Sequence, residues 1–211
     1  TILQTNEDNC IVVVPGANGT CSVEQVEEAA DDIRTADLLL IQLEIPLDTI
    51  RHALCIAGDS GVATVLNPAP AQPLSEDILQ YVDYLTPNET EFELLCGRTL
   101  RTDAELEAAM KEWEERHRLK VVLTRGEKGS SFLEEGRLVT VPAIKVDAID
   151  TTGAGDAFNA GLSIGICESW PFGQAVRFAV RTASLSVTRF GAQSGMPTRD
   201  EVKKFEFTRR Y

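Results

Sequence analysis

No stretch of the 211 residues approaches the ~20 consecutive apolar residues that a membrane-spanning helix requires. The longest apolar runs, such as Ile11 to Val14 and Leu38 to Ile41, are strand-sized, so no membrane partner is expected. Basic clusters are also lacking. A net charge of -13 and a pI near 4.6 repel a nucleic-acid backbone, so no nucleic-acid partner is expected either. Cysteine is scarce: Cys10, Cys21, Cys55, Cys96 and Cys167 are odd in number and lack the spacing of zinc or redox pairs. Buried, reduced thiols and a cytoplasmic compartment follow as expectations. No apolar targeting segment follows Thr1. His52 and His117 lie in charge-rich helical patterns and are read as surface or structural residues, while Trp113 and Trp170 are too far apart to suggest a stacking platform.

What is present is an alternation. With 43% hydrophobic and 25% charged residues, the chain is rich enough in apolar surface to bury a core rather than stay disordered. Short β-branched runs at Cys10 to Val14, Leu38 to Gln42, Val62 to Leu66 and Val121 to Thr124 are separated by segments of helical period. Such alternation predicts a mainly parallel α/β sheet. Ser22 with Gln25, Thr102 with Glu105, and Thr198 with Glu201 have capping-box spacing and mark helix starts. The rhythm changes at Ser131 to Glu134 and Arg137 to Val141, which flank Glu135-Gly136 as a hairpin and add an antiparallel edge before an extended run to Asp150. From Thr152 almost to Val187 the pattern is helical, with a break at Trp170-Pro171. There is no internal repeat, and the Pro-rich segment from Asn67 to Pro73 is too short for a linker, so residues 1–211 are read as a single α/β domain.

Chemistry concentrates in Asp150-Thr-Thr-Gly-Ala-Gly-Asp156. Its glycines let a strand-to-helix turn aim successive amide N–H groups at one point, and the helix behind adds its positive dipole end. A terminal phosphate could be held there by Gly153, Ala154 and Gly155 although the protein is acidic overall. Asp156, in the first helical turn, would be placed to take a proton from an attacking hydroxyl. On spacing alone, a short Gly-rich loop is a weak signal, and a tight turn with an acid complementing the helix dipole is the better account of the segment.

The segment closely resembles the second signature of the ribokinase (PfkB-type) carbohydrate kinases. Pro15-Gly-Ala-Asn18, Gln42-Leu-Glu44, Asn67-Pro-Ala-Pro70, Thr86-Pro-Asn-Glu-Thr-Glu91, Thr124-Arg-Gly126 and Arg189-Phe-Gly-Ala-Gln193 occur in that family's order. The resemblance implies a ribokinase-like three-layer sandwich, ATP as phosphoryl donor, Mg2+ and K+ as cations, and ribose or a similar sugar as acceptor. It assigns Asp156 as general base and sugar contact, Glu44 as a carboxylate for sugar hydroxyls, and Asn88 and Glu91 to Mg2+ and phosphate through water. Nucleotide contacts fall to Asn88, Thr124, Arg125, Gly126, Glu127, Lys128, Gly129, Gly155 and Asp156. K+ would sit among Asp150, Thr152, Ser186, Arg189, Gly191 and Gly195. Two positions depart from the family's habit: Gly195 stands where a serine is frequent, and Val180 where a polar residue commonly meets the nucleotide. Family members are longer, and the part without a counterpart here is N-terminal: the first strands, a Gly-Gly-rich sugar motif and a small β lid, through which such kinases pair as homodimers. The expectation is therefore a lidless chain with an exposed sheet edge and apolar face. Two alternatives stay open: a kinase of this family with another acceptor (a nucleoside, a fructose phosphate or a ketodeoxy sugar acid), and a non-catalytic nucleotide-binding fragment.

Overall fold

The computed structural model describes residues 2–4, 9–11 and 14–207, and side chains from residue 14 to residue 205. A six-stranded sheet runs β3 (Leu38–Gln42), β4 (Ala63–Asn67), β5 (Tyr84–Leu85), β6 (Lys120–Thr124), β7 (Ser130–Glu134) and β8 (Arg137–Val141), adjacent in that order. The first four pair in parallel, whereas β7 pairs antiparallel with both β6 and β8. The mixed sheet matches the expected parallel body with an antiparallel edge. In the β7–β8 hairpin Glu134 faces Arg137, and both Glu135 and Gly136 take positive φ, the geometry that matches the right-handed twist of the strands.

Side-chain alternation along the strands separates two helical layers. On one face Leu66, Leu85, Val121, Leu123 and Leu133 meet α3 (Leu47–Asp59), α4 (Glu76–Leu79), α5 (Glu89–Cys96) and α6 (Asp103–His117). On the other, Val122, Phe132 and Val141 meet α7 (Ala154–Cys167) and α8 (Phe172–Ser186), with Pro171 at the N-cap of α8 as expected. These two helices pack closely because Gly161 lies against Ala179 and Gly165 against Ala175, where a Cβ would overlap. α1 (Val23–Glu28) and α2 (Ala30–Thr35) lie over α3 through Val26, Ala30, Ala53 and Ile56. Trp113 packs edge-on to Phe92, and Trp170 edge-on to Phe178, so both tryptophans serve packing.

Two expectations need correction. The strand expected over residues 10–14 is instead β2 (Asn9–Ile11), paired antiparallel with β1 (Ile2–Gln4) in a separate two-stranded sheet; residues 12 and 13 lie outside the described residues. A β-branched run specifies extended backbone but not its neighbour, and a local hairpin partner competes with the distant parallel sheet. Nor are the thiols buried: Cys21, Cys55 and Cys96 are half-buried and Cys167 is exposed, while the side chain of Cys10 lies outside the described residues. Scarcity and spacing report on pairing, not on depth. The exposed edge is observed. Among the described residues β3 pairs only with β4, and Leu40 in its centre is 39% exposed.

The expected capping boxes form at Ser22 with Gln25 and at Thr102 with Glu105. The third, Thr198 with Glu201, starts α9 (Arg199–Phe207), and Glu201 also meets Arg189 at 2.6 Å. The Arg189 guanidinium, and then the Thr198 amide, hold the Glu201 carboxyl down to about 2. A depressed carboxyl contributes stability that is present above its unfolded pKa of ~4.3 and lost as pH falls through the folded value. The thermal midpoints of the unaltered protein and of Glu201→Gln should therefore differ above about pH 5 and converge toward about pH 2. Scanning calorimetry across that range checks this, and a constant difference would contradict it.

Candidate active site

The carboxyl ends of the parallel strands carry most of the motifs, the end at which ligands bind in open α/β sheets. Gln42 ends β3, Asn67 ends β4 beside it, and Thr86-Pro87-Asn88 leaves β5 next to Thr124 at the end of β6. Thr124 N–H donates to the Pro87 carbonyl at 2.9 Å, and Asn88 and Thr124 form a bridge. Asp156 joins this end through Gln42, whose Nε2 donates to Asp156 Oδ1 at 3.0 Å.

Gly153 is the N-cap of α7, with φ +81, and a Cβ there would come within 2.9 Å of Met196 Cε. Glycine is the residue that can make this turn. Among the described residues no side chain caps α7, and the first-turn amides of Gly155 and Asp156 lack the intrahelical acceptors that later amides have. Gly155 is exposed, with open space where a Cβ would stand. A 14-residue helix thus presents an uncapped positive end to solvent, with the exposed Asp156 carboxylate beside it.

Asn88 and Glu91, whose spacing is also that of a helix start, form a capping box: Glu91 N–H donates to Asn88 Oδ1 at 2.8 Å, and Asn88 N–H donates to Glu91 Oε2 at 2.7 Å. Burial pushes the Glu91 carboxyl up, and its other oxygen has no hydrogen-bond partner among the described residues. A half-buried carboxylate with one free oxygen fits a hydrated divalent cation, whose charge would offset the burial.

After Thr124 the chain turns through a short 3-10 helix, Gly126–Lys128, with Gly126, Glu127 and Lys128 exposed and Gly129 buried. The Arg125 side chain turns away from the strand ends. Its Nε meets Glu89 at 3.1 Å, Nη2 meets Asp103 at 2.8 Å and Nη1 donates to Ser131 Oγ at 3.2 Å, while Lys128 reaches Glu89 at 3.3 Å. The guanidinium therefore clamps the starts of α5 and α6 to β7.

Behind α7, buried Asp150 accepts from Thr152 N–H and Gly191 N–H, each at 2.9 Å, and these amides, with the Thr152 hydroxyl, hold its carboxyl below the usual range. A Cβ on buried Gly195 would stand 2.6 Å from the Gly191 carbonyl oxygen, 3.2 Å from that of Arg189 and 3.3 Å from that of Ser186. Three convergent carbonyl oxygens beside a buried carboxylate are a hard-donor set suited to a monovalent cation. The Arg189 side chain is committed to Glu201, so that residue could offer only its carbonyl. Glu44, just past β3, is exposed. Val180, on α8, is buried in the core shared by α7, α8 and the sheet.

Comparison with known proteins places this fold in a family. The pfkB family carbohydrate kinase profile matches residues 1–199, and the chain belongs to that family. It is 40% identical over 200 residues to the ribokinase of Haemophilus influenzae, covering 95% of this chain and 65% of that protein. It is 35% identical over 206 residues to the deoxyribokinase of Salmonella typhi, covering 96% and 67%. The structure of Arabidopsis thaliana ribokinase complexed with ribose and ATP superposes with a TM-score of 0.85 at 30% identity, covering 97% of this chain and 67% of that one. The chain thus spans about two thirds of the length of the curated relatives it matches.

Proposed function

We propose that the full-length protein transfers the γ-phosphoryl group of MgATP to O5 of D-ribose. The observation that carries this reading is the uncapped, glycine-turned start of α7 with the Asp156 carboxylate beside it, in a chain 40% identical to a ribokinase. The acceptor hydroxyl loses its proton to Asp156 as its oxygen bonds the γ-phosphorus, and the bond to the bridging oxygen of ADP breaks. The amides from Gly153 to Asp156 stabilise the negative charge on the transferring group. Glu44 accepts hydrogen bonds from the sugar hydroxyls, and the loop Thr124 to Gly129 lies along the nucleotide. Mg2+ would be held through water by Asn88 and Glu91, and K+ by the Asp150 region with the carbonyls of Ser186, Arg189 and Gly191; when bound, both offset phosphate charge.

We further read residues 1–211 as one catalytic domain of a cytoplasmic enzyme that pairs as a homodimer. Among the described residues no helix is long and apolar enough to cross a membrane. The test is an acceptor panel with MgATP: ribose, deoxyribose, a nucleoside, fructose 6-phosphate and a ketodeoxy sugar acid, read by ADP release and product mass. Ribose should give the highest kcat/KM. Preference for any other acceptor would overturn the ribose assignment, and ATP binding without transfer to any acceptor would overturn the kinase reading.

A further inference from the structure

We propose that Gln42 is a positioning residue for Asp156: its side-chain amide draws the carboxylate off the start of α7 and so keeps the anion site open. The proposal rests on the kinase reading above. It begins from β3, where Leu39 and Ile41 pack with the α1–α3 layer, so alternation turns Leu38, Leu40 and Gln42 toward α7. The last of these reaches Asp156 Oδ1 at 3.0 Å, joining residues 114 apart in sequence.

The physical need for such a contact lies in the helix start. A carboxylate in the first turn of an uncapped helix is attracted to the amides of that turn, and an exposed aspartate can reach them by rotating about χ1. The groups that would bind phosphate would then be filled by the base itself, and the base would have lost its free lone pairs. A donor on the neighbouring strand end changes this competition. Nε2 of Gln42 occupies Oδ1, which fixes the carboxylate between strand and helix and leaves Oδ2 to accept the hydroxyl proton.

The neutrality of the donor matters as much as its place. A lysine here would form an ion pair and make the carboxylate a weaker base, whereas a glutamate would put two carboxylates at hydrogen-bond distance, where they cannot both ionise freely. An amide orients without adding charge. Glu44 lies two residues further along the same segment, so the end of β3 carries both the proposed sugar contact and the residue that aims the base. Sugar seat and base are thereby held in one frame.

The test uses the full-length protein with ATP and its best acceptor, measuring kcat and both KM values from about pH 5.5 to about pH 9. Gln42→Ala should lower kcat about tenfold or more while leaving KM for ATP within about threefold, because the misplaced carboxylate fails in the transition state more than in nucleotide binding. Gln42→Glu, which is nearly isosteric, should move the acid limb of the kcat profile upward by about one pH unit. Should the alanine variant not fold, the glutamate variant carries the test. Unchanged kcat in the alanine variant overturns the proposal, as does a glutamate variant with lowered kcat and an unmoved acid limb, the result a purely structural role would give. Absence of phosphoryl transfer by the unaltered protein overturns the kinase reading, and this proposal with it.

Discussion

Asp156→Asn is expected to lower the phosphoryl-transfer turnover proposed for the full-length protein by about 10²- to 10⁴-fold, with KM for ATP nearly unchanged. The substitution is selective because the asparagine carbonyl can still accept from Gln42 Nε2, which now sits 3.0 Å from Asp156 Oδ1, so the strand-to-helix contact survives. What disappears is the negative oxygen proposed to take the proton. The first-turn amides of α7 are backbone groups and remain, so phosphate binding should persist. Steady-state kinetics with a thermal melt checks the expectation. Turnover close to that of the unaltered protein, with an unchanged melt, would rule out Asp156 as the base and leave the amides and bound cations to account for catalysis.

Asp156 also marks how far the sequence could be read. Features encoded within a few residues were legible: the capping boxes at Ser22, Thr102 and Thr198, the Glu135-Gly136 hairpin and the Pro171 helix start all depend on local backbone chemistry. The family motifs were legible for the same reason, because each is a short string. Contacts between distant segments were not. Nothing near Gln42 announces that its amide meets Asp156, since that pairing depends on β3 and α7 lying side by side. Likewise Arg125, in a motif tied to nucleotide contact, spends its guanidinium on Glu89, Asp103 and Ser131, partners contributed by three other elements.

The Asn88 and Glu91 pair illustrates the limit in another way. Read as a string, it has the spacing of a helix start and also matches a family site for a hydrated cation. The geometry reconciles the two: one Glu91 oxygen completes the capping box while the other is free among the described residues, and burial raises the energy of its charge. The cap thus fixes the carboxylate in place, and a cation nearby would relieve the burial. A residue can serve the helix and the site through different atoms, which a one-letter string does not display.

Gly129→Ala should have the largest effect on stability, lowering it by roughly 3 kcal/mol and the thermal midpoint by about 6–12 °C for a chain of this size. Gly129 has φ +93 and ψ -127, a region that side-chain-bearing residues scarcely populate. Space is the second obstacle, because an added Cβ would overlap the Val141 carbonyl and approach Ala143 N at 2.5 Å. The overlap is with backbone at the end of β8, not with the tip of a flexible side chain, so relief requires the β7–β8 edge to move. The same shift would disturb the turn before it, because Arg125 N–H donates to the Gly129 carbonyl at 2.8 Å and Gly129 N–H to the Gly126 carbonyl at 2.9 Å. KM for ATP should therefore rise together with the loss of stability, whereas in Asp156→Asn kcat falls and the melt is unchanged. Chemical denaturation and ATP kinetics on Gly129→Ala check both halves. A melt within about 1 °C of the unaltered protein would mean that β8 can give way without resistance, and that the turn after β6 is not held by the strand edge.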